Sequence, residues 1–460
     1  MVKSLDDKFK ELKPQLEASF DDYVEELKHI VTIQSISVDP TKGAEMIESA
    51  ENVKRLLVDA GVDEIKVVTA ELADGKKGAP AVIAKKYARV NKDTAPTVLL
   101  YAHHDVQPAR GPEYWHTSPF EPVIKNGRLV GRGSADDGAG VITIYGVLKL
   151  LGDDLPVNVN VFIEGEEESA SPSMDYIMTA YKDDLDADVL FLADSGNWDY
   201  GIPAITQTLR GALRIDIKLE VIKQPVHSGE FSGPILDPLT QLCRIIATFH
   251  DENGDLQING LKSEAKPEID DSETTFKHEI GLLNGGKLAG TSSISHRLWG
   301  KPTFTLIGID ATDVAHASNT ITNQVRAALS FRLAPSENPS DAVQAIKKHI
   351  LANNEYGAKI TFESADETGF GFTADLESDR AKAVIAGIRK AWGEDVVAAG
   401  MGGSIPFAKM YETAYPNALV LVTGVESPDS YAHGDNESAD LNDLRKIILG
   451  HTLAVYNLGA

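Results

Sequence analysis

Cysteine is nearly missing from this chain: Cys243 is the only one in 460 residues. No disulfide can form within the chain, and a thiolate-rich zinc site is excluded. Any bound metal must be held by histidine and carboxylate. Positive charge is scarce as well, with 44 Lys and Arg against 69 Asp and Glu and a formal net charge of -25. Such a surface repels phosphates and anionic headgroups over the Debye range, so neither nucleic acid nor a membrane is expected as a partner. Long apolar runs are also wanting. The first twenty residues, MVKSLDDKFKELKPQLEASF, alternate charges and hold no stretch that would serve as a secretion signal or a membrane helix. A cytoplasmic protein is the expectation. HExxH, GxxxxGK(S/T) and GxSxG motifs are absent. Cys243 lies in the helical pattern LTQLCRIIATF, which suits a buried structural thiol better than a nucleophile.

What is present reads as a soluble protein of two or three domains. Amphipathic helix is expected over Ser4 to Ile33 and over Ala44 to Ala60. Apolar strand-like runs follow: IKVVT, AVIA, TVLLYA, VNVNVFIEG from Val157, DVLFLAD from Asp188 and ALVLVTG from Ala418. Helical patterns such as Gly140 to Leu151 and Ser173 to Lys182 lie between them. Alternation of this kind implies an α/β domain with a central sheet covered by helices. From about Thr208 the texture changes to period-two strands (LRGALRIDIKLEV, PTFTLIGID, VRAALSFRLAP, AKITFES), with helices at Asp237 to Phe249 and Ser340 to Leu351. The expected organisation is a catalytic domain over 1–207 and 374–460, interrupted by an inserted α+β domain over 208–373.

Polar residues with chemical potential collect where the apolar runs end. His103 and Asp105 close TVLLYAHHDVQP, and residues i and i+2 of a strand share a face. The carboxylate can then hold the free N–H of a metal-ligating imidazole, although such a pair alone is more often a plain strand-end contact. Asp136 and Asp137 sit between glycines in GRGSADDG, a surface turn if taken alone. VNVNVFI runs directly into Glu164, Glu166, Glu167 and Glu168, and carboxylates this dense repel one another unless cations or protons compensate. A solvated acidic loop is the rival there. Position separates the two readings, because ligands of α/β sheets gather at carboxyl ends of strands. Asp194 in FLADSGNW and His433 in SYAHGDNE complete the set. Jointly, histidines and carboxylates at the ends of several strands suit a pair of divalent ions.

In this order the motifs YAHHDVQP, WHTSPFEPVIKNGRLVGRGSADDG, EGEEES, HSG at His227, GGSIPF at Gly402 and AHGDNE resemble those of the di-zinc metallopeptidases. That family includes carnosinase-like cytosolic dipeptidases, succinyl-diaminopimelate desuccinylase, acetylornithine deacetylase and glutamate carboxypeptidase, and the DVQP and GGSIP wording is most similar to the dipeptidase branch. The resemblance implies that His103 and Asp194 hold one metal, that Glu168 and His433 hold the other, and that Asp136 bridges them. Two divalent ions per subunit are implied, zinc first, with manganese and cobalt as alternatives. Glu167 would be the general base, Asp105 would orient His103, and the Asp136–Asp137 peptide would be cis. His227 would reach across a homodimer to the oxyanion, with Asn319 of SNTIT also acting in trans. Arg332 in SFRLAP and Ser404 would take the carboxylate of a small peptide substrate. The inserted domain would be the lid and dimerisation domain. The sequence departs from the family pattern at Gly138 (usually lysine), Ala170 (glycine), Thr322 (proline) and Met401 (acidic in carnosinase-like members). The implied activity is hydrolysis of a dipeptide or short peptide with a free C-terminal carboxylate. The rivals are an N-acyl amino acid deacylase and a metal-free dimeric binding protein.

Overall fold

The computed structural model describes residues 3–72, 75–365 and 369–460. Ser4 caps the first helix, Leu5–Thr32, by accepting the N–H of Asp7. Leu12, Leu16, Phe20, Tyr23, Leu27 and Ile30 bury one stripe of that helix, the spacing of an amphipathic element. A second helix, Gly43–Asp59, follows. The chain separates into two compact units, one of residues 1–207, 374–399 and 410–460, the other of residues 208–373 and 400–409. The segment 400–409, expected with the catalytic domain, therefore belongs to the inserted unit.

A mixed sheet organises the first unit. Glu64–Val68 and Ala81–Lys86 run antiparallel at one edge. Next come four mutually parallel neighbours, in the order Asn158–Glu164, Thr97–His103, Val189–Gly196 and Leu419–Glu426. Ala204–Leu209 then pairs antiparallel with the last of them. The interior strands are buried almost throughout, as parallel strands covered on both faces must be, which explains their mainly apolar runs. Helix Gly138–Leu151, buried everywhere but at Lys149, packs on Thr97–His103 and on the helix Leu441–Leu458. The latter also packs on Asp379–Trp392 and Leu5–Thr32.

The second unit holds a four-stranded antiparallel sheet ordered Thr303–Asp310, Gln324–Leu333, Gly211–Glu220, Lys359–Ala365. Alternate residues Leu213, Ile215, Ile217 and Leu219 enter its core with Val325, Leu329 and Phe331, the period-two signature of a sheet with one buried face. Helices Pro238–Ala247 and Pro339–Ala352 supply Leu242, Ile245, Ile346 and Ile350 to the same core. One expectation fails here: Cys243 is exposed, not buried. Its helix turns Pro238, Gln241, Leu242 and Ile245 inward, and this spacing leaves position 243 on the solvent side. Among the described residues, no helix is long and apolar enough to cross a membrane.

Candidate metal centre

The four parallel strands all end at the same rim of the sheet; His103, Glu168, Asp194 and His433 lie at, near or beyond those ends, and Asp136 comes from the loop between Arg128–Val130 and the helix Gly138–Leu151. His103 is the last residue of its strand and is 1% exposed. Its Nε2 lies 3.0 Å from Asp136 Oδ1 and 3.9 Å from Asp194 Oδ1. His433, with a left-handed φ of 60°, brings its Nε2 to 3.0 Å from Asp136 Oδ2 and 3.0 Å from Glu168 Oε2. The two oxygens of Asp136 therefore face two different histidines. Two triads share that carboxylate, His103 with Asp136 and Asp194, and Asp136 with Glu168 and His433. Within each triad the donor atoms all lie within 4.8 Å of one another. The donors are imidazole nitrogens and carboxylate oxygens, a set that fits borderline divalent cations such as zinc.

Neighbouring groups hold these donors in place. His103 Nδ1 donates to the backbone carbonyl of Asp105 at 3.0 Å, with Asp105 Oδ1 at 3.4 Å. The Asp105 carboxylate also accepts the N–H of Glu167 at 3.2 Å and of Glu168 at 3.1 Å, so it ties the His103 ring to the acidic turn. Asp137 accepts the backbone N–H of His103 at 3.1 Å and that of Gly140 at 3.0 Å, capping the helix Gly138–Leu151. A side chain at position 140 would put its Cβ 2.2 Å from Asp137 Oδ1, so only glycine admits this cap. The Asp136–Asp137 peptide is cis.

The acidic cluster divides its labour. Tyr101 donates its hydroxyl to Glu164 at 2.5 Å. Glu166 accepts the N–H groups of Ala79 at 2.7 Å and Ser173 at 3.2 Å. Only Glu167 and Glu168 remain for the site. Gln107 donates to Glu168 Oε2 at 2.7 Å, a contact that its place in the DVQP segment did not announce.

Sequence reasoning also missed Glu437. It is 0% exposed, and its carboxylate accepts four donors: Arg132 Nη1 at 2.6 Å and the N–H groups of Gly133, Ala135 and Asp136, each at 3.0 Å. The only available signal was its place four residues after His433, which names no partner.

The electrostatics describe a negative site whose ionisation burial opposes. Burial pushes Asp194 up to about 8 and raises Glu167 and Asp137. Burial acts on Asp136 in the same sense, but hydrogen bonds from His103 and His433 outweigh it and hold Asp136 below the usual carboxylate range. Hydrogen bonds to Asp136 and Glu168 push His433 up to about 10. For His103, burial is overcome by its bonds to Asp105 and Asp136, and its value stands well above that of a free imidazole. Protons here offset carboxylate repulsion that divalent cations would relieve more fully.

The remaining predicted residues lie in the second unit, where they form two pairs. His227 and Asn319 are neighbours: Val226–His227 pairs with Thr320–Ile321, and Ser228 donates its N–H to Asn319 O at 2.9 Å. Both side chains are exposed. Arg332 Nη1 donates to Ser404 Oγ at 3.2 Å, which joins the two residues expected to take a carboxylate.

A mixed sheet with this double donor set at its carboxyl rim defines a metal-dependent hydrolase. Residues 99–456 match Peptidase family M20/M25/M40, and the chain belongs to that family. It is similar to the cysteinylglycine-S-conjugate dipeptidase of Corynebacterium striatum, 30% identical over 434 residues that cover 92% of this chain and 93% of that protein. It is also similar to the beta-Ala-His dipeptidase of Mus musculus, 27% identical with 91% and 89% covered. The solved structure of the dipeptidase Dug1p from Saccharomyces cerevisiae shares the fold, with a TM-score of 0.77, 22% identity, and 100% and 99% of the two chains covered.

Proposed function

We propose that this chain is a cytoplasmic two-metal dipeptidase that cleaves the peptide bond of dipeptides or short peptides bearing a free C-terminal carboxylate. The observation that carries the reading is Asp136, whose two oxygens serve two separate histidine–carboxylate triads. His103 and Asp194 would hold one cation, Glu168 and His433 the other, and Asp136 both. Two divalent ions, zinc or alternatively manganese or cobalt, supply Lewis acidity at the scissile carbonyl and acidify water when bound.

The protein's own groups do the rest. Glu167, raised by burial, is the base that takes a proton from the attacking water and delivers it to the leaving amine. Asp105 fixes the ring of His103 and, through two backbone N–H groups, the turn that carries Glu167. His227 donates to the developing oxyanion, and Asn319, just before the paired strand Thr320–Ile321, stands near it and accepts the N–H of Ser228 on its carbonyl. Arg332 and Ser404 grip the substrate's carboxylate.

We assign His227 and Asn319 to act on the neighbouring subunit of a homodimer. Both are exposed, and the edge strand Thr303–Asp310 of the same unit leaves Leu306, Ile307 and Ile309 open, an arrangement that a second copy would cover. Dipeptidase activity is supported by the dipeptidases to which the chain is similar. Met401, in place of the acidic residue of carnosinase-like members, favours a second reading, an N-acyl amino acid deacylase with the same metals and the same clamp. A panel of dipeptides, tripeptides and N-acetyl amino acids, each with free and amidated C-termini, tests both. Dipeptidase activity predicts cleavage of the free dipeptides above all others, and preference for the acetylated substrates would overturn it.

A further inference from the structure

Arg210 immediately precedes the strand Gly211–Glu220, whose Ala212 is the register partner of Arg332. It is 7% exposed, and a guanidinium remains charged in that setting. Its Nε donates to Gly402 O at 3.0 Å, and its Nη1 reaches Thr303 Oγ1 at 3.3 Å and Lys301 O at 3.5 Å. All three partners are neutral. Among the described residues no carboxylate acts on it, and the one charge that does is a second cation, Arg332. A buried charge without a counter-ion is costly, and burial together with Arg332 pushes Arg210 down to about 10.

The segment 402–404 connects the two guanidiniums. Arg210 holds its Gly402 carbonyl, and Arg332 donates to its Ser404 hydroxyl. A Cβ at position 402 would come 3.1 Å from Arg210 Nη2, so glycine there lets the guanidinium lie against the turn. The Ser404 oxygen accepts from Arg332 and keeps its own proton to donate. Two cations and a hydroxyl donor, with no protein anion among them, make an anion receptor.

We propose that Arg210 is a specificity-determining residue that supplies the second positive charge of the receptor for the substrate's carboxylate. It also positions Ser404 through the Gly402 carbonyl. The inference rests on the carboxylate clamp proposed above and adds a requirement to it: selectivity for a free C-terminus depends on the charge at position 210, not on Arg332 alone.

Two variants of the full, zinc-loaded chain separate charge from packing. Arg210→Gln keeps a donor toward Gly402 but removes the charge, and Arg210→Lys keeps the charge but loses the planar fork. The measurement is kcat and KM for one dipeptide and its C-terminal amide, with inhibition by free glycine and by glycinamide alongside. In R210Q the preference for the free carboxylate should fall roughly tenfold or more, through KM, with glycine weakened as an inhibitor by a similar factor. Glycinamide inhibition and kcat should change little, and R210K should keep most of the preference. Wild-type discrimination in R210Q, or equal loss in both variants, would overturn the inference and leave the clamp standing. If R210Q does not fold, R210K decides alone, since retained preference supports the charge requirement and lost preference refutes it. Failure of the wild type to distinguish acid from amide would remove the clamp itself and this inference with it.

Discussion

Glu437 accepts the backbone N–H of Asp136 at 3.0 Å, so the residue that joins the two donor triads is held by a carboxylate 301 positions away in the sequence. With Arg132 and the N–H groups of Gly133 and Ala135 completing its four bonds, Glu437 fastens the loop bearing His433 to the loop bearing Asp136. Glu437→Gln presents an amide to this ring of donors and strands the buried Arg132. It should cost about 3–5 kcal/mol of stability in denaturant unfolding, and it should lower metal content at limiting zinc. Replacing Arg132 by Met in the same chain should cost less than the two single changes summed.

Glu167 is placed by Asp105 but forms no part of either triad. Glu167→Gln should therefore retain metal while turnover falls roughly 100- to 10,000-fold, the range for loss of a general base. Metal analysis and kcat on the same sample check this. Near-normal turnover would move the base elsewhere.

His227 and Asp136 belong to different units of the chain. If His227 serves the partner's centre, His227→Ala and Asp136→Ala, each inactive alone, should regain activity when mixed under conditions that exchange subunits. Exchange without recovered activity would contradict action in trans.

Metal uptake should release protons. His433 stands at about 10 and is charged at neutral pH without metal, and His103 is raised in the same direction, whereas a ligand imidazole is neutral. The sign is fixed: as pH falls, protons compete harder and metal affinity drops, by about tenfold per pH unit for each proton displaced. Titration calorimetry in buffers of different ionisation enthalpy reads the proton count, and pH-independent affinity between pH 6 and 8 would contradict it.

The sheet and the rim of the site were legible in the sequence because the parallel strands are mainly apolar runs with polar site residues at or shortly beyond their carboxyl ends, as TVLLYAH ends on His103 and VLFLAD leads to Asp194. The acidic run was legible only as a cluster. That Glu164 belongs to Tyr101 and Glu166 to Ala79 and Ser173 depends on contacts with no local periodicity. Glu437 and Arg210 escaped for the same reason, since their partners are remote in sequence or are backbone carbonyls. The excursion of 400–409 into the second unit had no composition to mark it. The helical pattern around Cys243 shows the helix but not which of its positions face solvent; the helix buries one stripe, Pro238, Gln241, Leu242 and Ile245, and position 243 lies off it.

The most direct test of the account is the zinc stoichiometry of the protein. Metal-free chain incubated with excess zinc and desalted should retain two ions per chain, and Asp136→Ala, which removes the shared ligand, should weaken retention of both. A stoichiometry of one or none in the wild type, or loss of a single ion in the variant with the other unaffected, would contradict a centre built around a shared Asp136.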